Sequence, residues 1–145
     1  MIERGGVVRV GYVAYSKSFE APGDRRRFVA YARHKNIDFE LACPSEIYDL
    51  VVITELADIS LWSNYPHGIV VYDLIDSYLA VPRSDFRQLF RGMFGFLKGR
   101  YKRLQFDHKS AIREMCIRSD AVICTTEEQK KDIMRTSCLL RRRWN

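Results

Sequence analysis

Four stretches of this chain are apolar without alternating. Residues 7–15, 48–54, 69–74 and 121–125 place Val, Ile, Leu, Ala and Tyr on neighbouring positions with few polar interruptions. Successive side chains of a strand point to opposite faces, so a strand with one wet face alternates apolar and polar residues. A strand without alternation is covered on both faces, which is the condition of parallel sheets flanked by helices. A shorter β-rich run at 39–43 ends before Pro44.

The segments between these runs read as helices or crossovers. After a polar loop containing Pro22-Gly23, Asp24 is positioned as an N-cap for a helix over 25–35, with Phe28, Tyr31 and Ala32 at helical spacing. A long helical stretch is predicted over 84–118, interrupted near Gly92, Gly95 and Gly99. Thr126 opens a last helix, and Thr126-Glu127-Glu128-Gln129 has the spacing of a capping box. Strands joined by such crossovers make an α/β, Rossmann-like sandwich with a mainly parallel sheet of about five strands and helices on both faces. Ligands of such sheets sit at the carboxyl ends of the strands. The segments arriving there are 16–24, 54–58, 73–78 and 125–127.

With 145 residues, 47% of them hydrophobic, the chain can bury a core, and it is too apolar for a disordered tail. No apolar run approaches the about 18 residues that span a bilayer, and residues 1–6 lack the layout of a signal peptide. Cys43, Cys116, Cys124 and Cys138 lie far apart without a CxxC pair, so reduced thiols are expected rather than a zinc site or disulfide framework. The net charge of +6 is local: residues 83–118 hold ten Lys/Arg against three Asp/Glu, and the remainder is nearly neutral.

Two segments carry residues suited to chemistry. The loop 16–27, with Ser16, Gly23, Asp24 and Arg25, leads into a predicted helix N-terminus, where backbone N–H groups favour an anion. It contains neither GxGxxG nor a Walker A sequence, so a self-contained dinucleotide or triphosphate site is not supported. Asp73-Leu74-Ile75-Asp76-Ser77-Tyr78 sets two carboxylates just after a buried strand, where each needs a donor, a ligand or water. Either one of them holds or deprotonates an acceptor hydroxyl, or Asp73 or Asp76 caps neighbouring backbone donors. Glu55 and Asp58 follow the preceding strand, on the same rim or at the surface. Phe19 and the segment Trp62-Ser63-Asn64-Tyr65 offer an apolar wall for a sugar ring, or simply core edges. His34, His67 and His108 have no metal-ligand spacing, and no metal site is expected.

Tyr72-Asp73-Leu74-Ile75-Asp76-Ser77-Tyr78-Leu79-Ala80 and the later Asp120-Ala121-Val122-Ile123-Cys124-Thr125-Thr126-Glu127-Glu128-Gln129 together resemble the N-terminal domain of bacterial GT-B fold glycosyltransferases of the family 4 and family 1 type. The loop with Gly23-Asp24-Arg25-Arg26 also resembles the segment of these enzymes that faces the interdomain cleft. The resemblance covers about residues 7 to 134. It implies an acceptor-side domain at 1–134 and a basic tail at 135–145, read either as frameshifted or disordered or as a genuine terminus. It also implies transfer of a sugar from a nucleotide-sugar co-substrate to a polysaccharide or lipid-linked acceptor. Asp73 and Asp76 would stand near the acceptor hydroxyl. Gly23, Asp24 and Arg25 would lie near the donor phosphates, and Ser16, Glu55, Ser77, Thr125, Thr126 and Glu127 would line the cleft. The donor-binding domain with its Glu-x7-Glu pattern has no counterpart in this sequence, so the chain alone is expected to bind no cofactor and to be inactive.

Phe86, Leu89, Phe90, Met93, Phe94 and Leu97 share one helical face, while Arg87, Arg91 and Lys98 point elsewhere. This pattern fits either a stripe packed on the sheet or an interface with anionic lipid. The expected location is cytoplasmic, with a peripheral place at the inner membrane face as the extension of the second option. A stand-alone α/β module that reaches an anionic membrane or another anionic partner is the competing reading. Nucleic acid is disfavoured, since no helix-turn-helix, RRM or zinc-finger pattern accompanies the basic stretch.

Overall fold

The computed structural model describes residues 8–75 and 108–141. Five strands form one sheet: β1 (Val10–Val13), β2 (Glu40–Leu41), β3 (Leu50–Thr54), β4 (Ile69–Asp73) and β5 (Ala121–Ile123). All neighbours are parallel, in the spatial order β2-β1-β3-β4-β5. The expected α/β, Rossmann-like architecture is therefore present. The helices are α1 (Pro22–Arg26), α2 (Phe28–Lys35), α3 (Ile59–Trp62), α4 (His108–Arg118) and α5 (Glu127–Arg141).

The two faces of the sheet are covered by different elements. On one face Tyr12 and Val52 pack with Val29 of α2, and Phe19, Phe28 and Phe39 surround the Tyr12 ring. On the other, Val51, Ile53, Val70 and Tyr72 meet Ile59 and Trp62 of α3, Ile112 and Met115 of α4, and Ile133 of α5. Alternate residues of β3 and β4 thus enter opposite cores, which is why these strands show no polar face in the sequence.

Spatial order reverses between β1 and β3, since β2 lies on one side of β1 and all later strands on the other. Such a switch point opens a crevice outside the carboxyl ends of the strands. Register aligns Thr54 with Asp73, and Asp73 with Ile123, at that end.

Several local expectations need correction. Asp24 is not an N-cap: α1 begins at Pro22, whose missing N–H and fixed φ suit a first helical position, and Asp24 lies inside it, fully buried. The single helix expected over 25–35 is broken at Arg27, which ends α1 and begins α2 with φ −123° and ψ −115°. Its buried positions are Val29 and Ala32, whereas Tyr31 is 56% exposed. Trp62 and Tyr65 are buried against each other in the core and form no wall at a cleft. Asp58 caps α3 by accepting from the Ser60 N–H at 3.1 Å, which removes it from the rim. α5 continues as helix through Arg141, into the segment set apart as a basic tail.

One glycine is required by the backbone. Gly68 turns into β4 at φ +55°, and a Cβ there would sit 2.1 Å from the Tyr48 carbonyl oxygen.

Candidate functional site at the carboxyl end of the sheet

The loop after β1 is held by one buried carboxylate. Asp24 accepts from the Tyr12 hydroxyl at 2.8 Å, the Tyr15 N–H at 2.9 Å, the Ser16 N–H at 3.0 Å and the Ser16 hydroxyl at 3.1 Å. Ser16 Oγ in turn accepts from the N–H groups of Glu20 and Ala21, each at 3.1 Å. Four polar hydrogens thus compensate a carboxylate that would otherwise be costly to bury. Four N–H groups of the loop, those of Tyr15, Ser16, Glu20 and Ala21, are engaged by Asp24 and Ser16. Those two residues, read from the sequence as cleft residues, spend their polar atoms on each other and on the loop.

Gly23 lets this loop close. A Cβ there would stand 2.7 Å from the Tyr15 ring, so the glycine is explained by helix-to-ring packing. Arg25 lies exposed on α1.

At the break between α1 and α2, Arg27 reaches across to the end of β4. Its Nε donates to Asp73 Oδ2 at 2.7 Å, and a terminal guanidinium nitrogen donates to Asp73 Oδ1. Both carboxylate oxygens are engaged in a fork-to-fork pair, the strongest geometry for these groups. The Asp73 side chain is 2% exposed and that of Arg27 23%. The Asp73 bond pushes the Arg27 guanidinium further up from its already high ordinary value. Asp73 is thus the buried anchor of an ion pair joining the helical break to the central strands.

Two buried hydroxyls at this end of the sheet make no hydrogen bond, one of them in register with Asp73. Thr54 is fully buried next to Asp73, and its Oγ1 makes no hydrogen bond. Tyr15 Oη is likewise buried and unpaired. The Tyr15 phenol is pushed well above its ordinary value, first by burial and then by the charges of Glu55 and Asp73. Those couplings place Tyr15 in the same electrostatic neighbourhood as Arg27, Asp73 and the half-buried Glu55. Unpaired buried hydroxyls are uncommon in folded proteins, and each calls for an explanation.

The β5 end is fastened by the glutamine of the expected helix cap. Gln129, 2% exposed, accepts from the Thr125 N–H at 2.7 Å and donates to the Leu74 carbonyl at 3.1 Å. Thr126 Oγ1 accepts from the Gln129 N–H at 3.1 Å. The capping-box spacing is therefore half realised, with the glutamine side chain bridging β4 and β5 in place of returning to the Thr126 N–H. Thr125 Oγ1 donates to the Ile75 carbonyl at 3.1 Å. Glu127 is exposed and pairs with Lys130 at 3.6 Å.

The structure therefore brings Arg27, Thr54 and Asp73 together, while Ser16, Asp24 and Thr125 brace the surrounding backbone. Arg27, Tyr15 and Thr54 were not singled out as site residues in the sequence. Asp76, Ser77, Arg87, Arg91 and Lys98 lie outside the described residues.

A groove of about 900 Å³ runs from Arg27 and Asp73 along the face of the sheet, over Val10, Leu50, Val52 and Val71. Among the described residues no group of three or more His, Cys, Asp or Glu is placed to hold a metal ion. Among them, too, no helix is long and apolar enough to cross a membrane. Compared with protein-family models, with curated proteins and with solved structures, the chain gives no match.

Proposed function

We propose that this chain is the acceptor-side domain of a nucleotide-sugar-dependent glycosyltransferase, with the acceptor lodged on the rim where β1, β3 and β4 end. The observation that carries this reading is the buried Arg27–Asp73 ion pair beside Thr54, at the carboxyl end of an all-parallel sheet with its switch point at β1 and β3. Ligands of doubly wound sheets bind in that place, and the sequence from Tyr72 to Ala80 is where the resemblance to these enzymes is carried.

Within this reading Asp73 is a positioning residue. Both its oxygens hold Arg27, and a proton arriving there would dissolve the ion pair that fixes the rim. Asp76, three residues after Asp73, is the carboxylate that this reading assigns to receive a proton from an acceptor hydroxyl. Asp24 and Ser16 occupy four amides of the first loop that would otherwise be offered to a donor phosphate. In this reading the nucleotide sugar is held by a separate domain, and this chain supplies the acceptor side.

Calorimetric titration of the purified chain tests the reading. Simple neutral glycosides should bind in the millimolar range, and nucleotide sugars should bind no more tightly. Micromolar binding of a nucleotide sugar, or its hydrolysis by this chain, would overturn the assignment.

A further inference from the structure

We propose that the open face of β4 and β5 beside α2 is a docking trough for one amphipathic α-helix of a separate polypeptide, lying antiparallel to α2 with its first turn at Asp38 and its last turn at Arg26. This docking is independent of what the carboxyl rim binds.

The two faces of the outer strands are covered unequally. On one face Tyr72 and Val122 enter the core that α4 and α5 close. On the other, Val29 of α2 packs with Tyr12 of β1 and Val52 of β3, and among the described residues α2 is the only helix in that cluster. Strand register carries this face outward from Val52 to Val71 and Ala121, and from Asp73 to Ile123. Ile69 is 52% and Ile123 46% exposed there, Ala121 is exposed and Val71 half-buried. Parallel sheets ordinarily bury both faces under helices, and contiguous exposed apolar surface marks an interaction site.

Dimensions and charge select the occupant. From β3 to β5 is two strand spacings, about 10 Å, the width of one α-helix. The groove of about 900 Å³ has a floor of Leu50, Val52, Val71 and Ile123 and a wall of Phe28 and Tyr31. Its free charges stand at opposite ends. Arg26 precedes α2 at the carboxyl rim and Asp38 follows it at the amino end, separated by the length of α2, about 12 Å. Both are exposed, and among the described residues neither has an ion-pair partner. A helix is partially positive at its N-terminus and negative at its C-terminus. With its first turn at Asp38 and its last at Arg26 it answers both charges, and its dipole opposes that of α2 alongside. An acyl chain answers Arg26 with an anionic head but sets its apolar end against Asp38.

The test titrates the full chain with a stapled, end-capped helical peptide of about 12 residues, Leu at i, i+3, i+4 and i+7 and Gln and Ala elsewhere, and with the same composition scrambled. Amide shifts should move at Ile69, Val71, Ala121 and Ile123, with the patterned peptide bound at least about tenfold more tightly than the scrambled one. A nitroxide on the peptide N-terminus should broaden the Asp38 amide, and one on the C-terminus the Arg26 amide. Arg26→Glu and Asp38→Lys should each weaken binding about two- to fivefold. The double variant should restore it with the broadening pattern exchanged, which no change in folding produces. Ile123→Glu should lose at least about tenfold by setting a charge against the apolar face. Equal binding of the scrambled peptide, no binding at millimolar concentration, or a broadening pattern indifferent to charge reversal overturns the proposal. So does any other occupant of the face: a wild-type dimer that Ile123→Glu dissolves, shifts at Val71 and Ile123 on Phe90→Ser without peptide, or shifts there with anionic phospholipid vesicles but not with the peptide.

Discussion

The Arg27–Asp73 pair permits a prediction whose asymmetry is more diagnostic than its size. Asp73 is 2% exposed and Arg27 23%, so removing one partner is not equivalent to removing the other. Arg27→Met keeps much of the side-chain volume but leaves a buried carboxylate without compensation, which costs about 3–5 kcal/mol. Asp73→Asn leaves a guanidinium that can turn its exposed edge to water, and an amide that can still accept from it. Its cost should be smaller, about 1–2 kcal/mol. The double variant Arg27→Met/Asp73→Leu removes both charges and should recover much of the larger loss, because well-packed apolar replacements of ion pairs are often neutral. Urea unfolding at pH 7 with an unchanged m-value measures all three. Against a total stability of about 5–15 kcal/mol, the Arg27→Met loss would lower the melting temperature by about 10 °C or more. A loss under 1 kcal/mol for Arg27→Met, or equal losses for the two single variants, would refute the assignment of Asp73 as a buried, charge-compensated anchor.

Three further outcomes follow from the same contacts. Gln129→Leu should destabilise by about 1–3 kcal/mol by stranding the Thr125 N–H and the Leu74 carbonyl, and hydrogen exchange at Thr125 should accelerate more than at Val51. Gly68→Ala should cost more than 2 kcal/mol or prevent folding, since it combines a positive φ with a 2.1 Å clash on backbone; thermal melts of soluble protein decide this. Alkaline pH should weaken the fold. Tyr12 and Tyr15 are both raised above the ordinary phenol value of 10.0, and burial raises the Cys116 thiol from 9.0 to about 12. These groups stay protonated in the fold while the unfolded chain releases its protons, so stability is fully present below about pH 9 and declines as pH rises through the folded values. The slope approaches about 1.4 kcal/mol per pH unit for each group retained. Phenolate absorbance should lag behind unfolding for Tyr12 and Tyr15, and early titration of both in the folded state would contradict this.

What could be read from the sequence was governed by periodicity. Residues 48–54 and 69–74 lack alternation because β3 and β4 feed two cores, and that alone marks a parallel sheet. The pairing of strand end with loop was legible too, since Asp73 follows a run of buried residues and must arrive at the carboxyl rim. The partners of these residues were not. Arg27 and Asp73 are 46 positions apart, and nothing local in 25–35 distinguishes Arg27 from Arg25 or Arg26. Asp24 has the residue type of an N-cap, but Tyr12 from β1 and the Tyr15 and Ser16 amides draw it inward. The Ala21-Pro22 step was the available sign that the helix starts earlier. Gln129 satisfies a capping-box spacing on sequence alone, and only the closeness of β4 and β5 gives its side chain a different target.

The central claim is that the carboxyl rim at the switch point is where this protein meets its ligand. Amide chemical-shift mapping of the wild-type chain with a neutral methyl glycoside tests it directly. The account predicts shifts concentrated at Tyr15, Arg27, Glu55 and Leu74, with little change at Arg9 and Asp49 on the opposite end of the sheet. Shifts centred on that opposite end, or spread evenly over the surface, would contradict it.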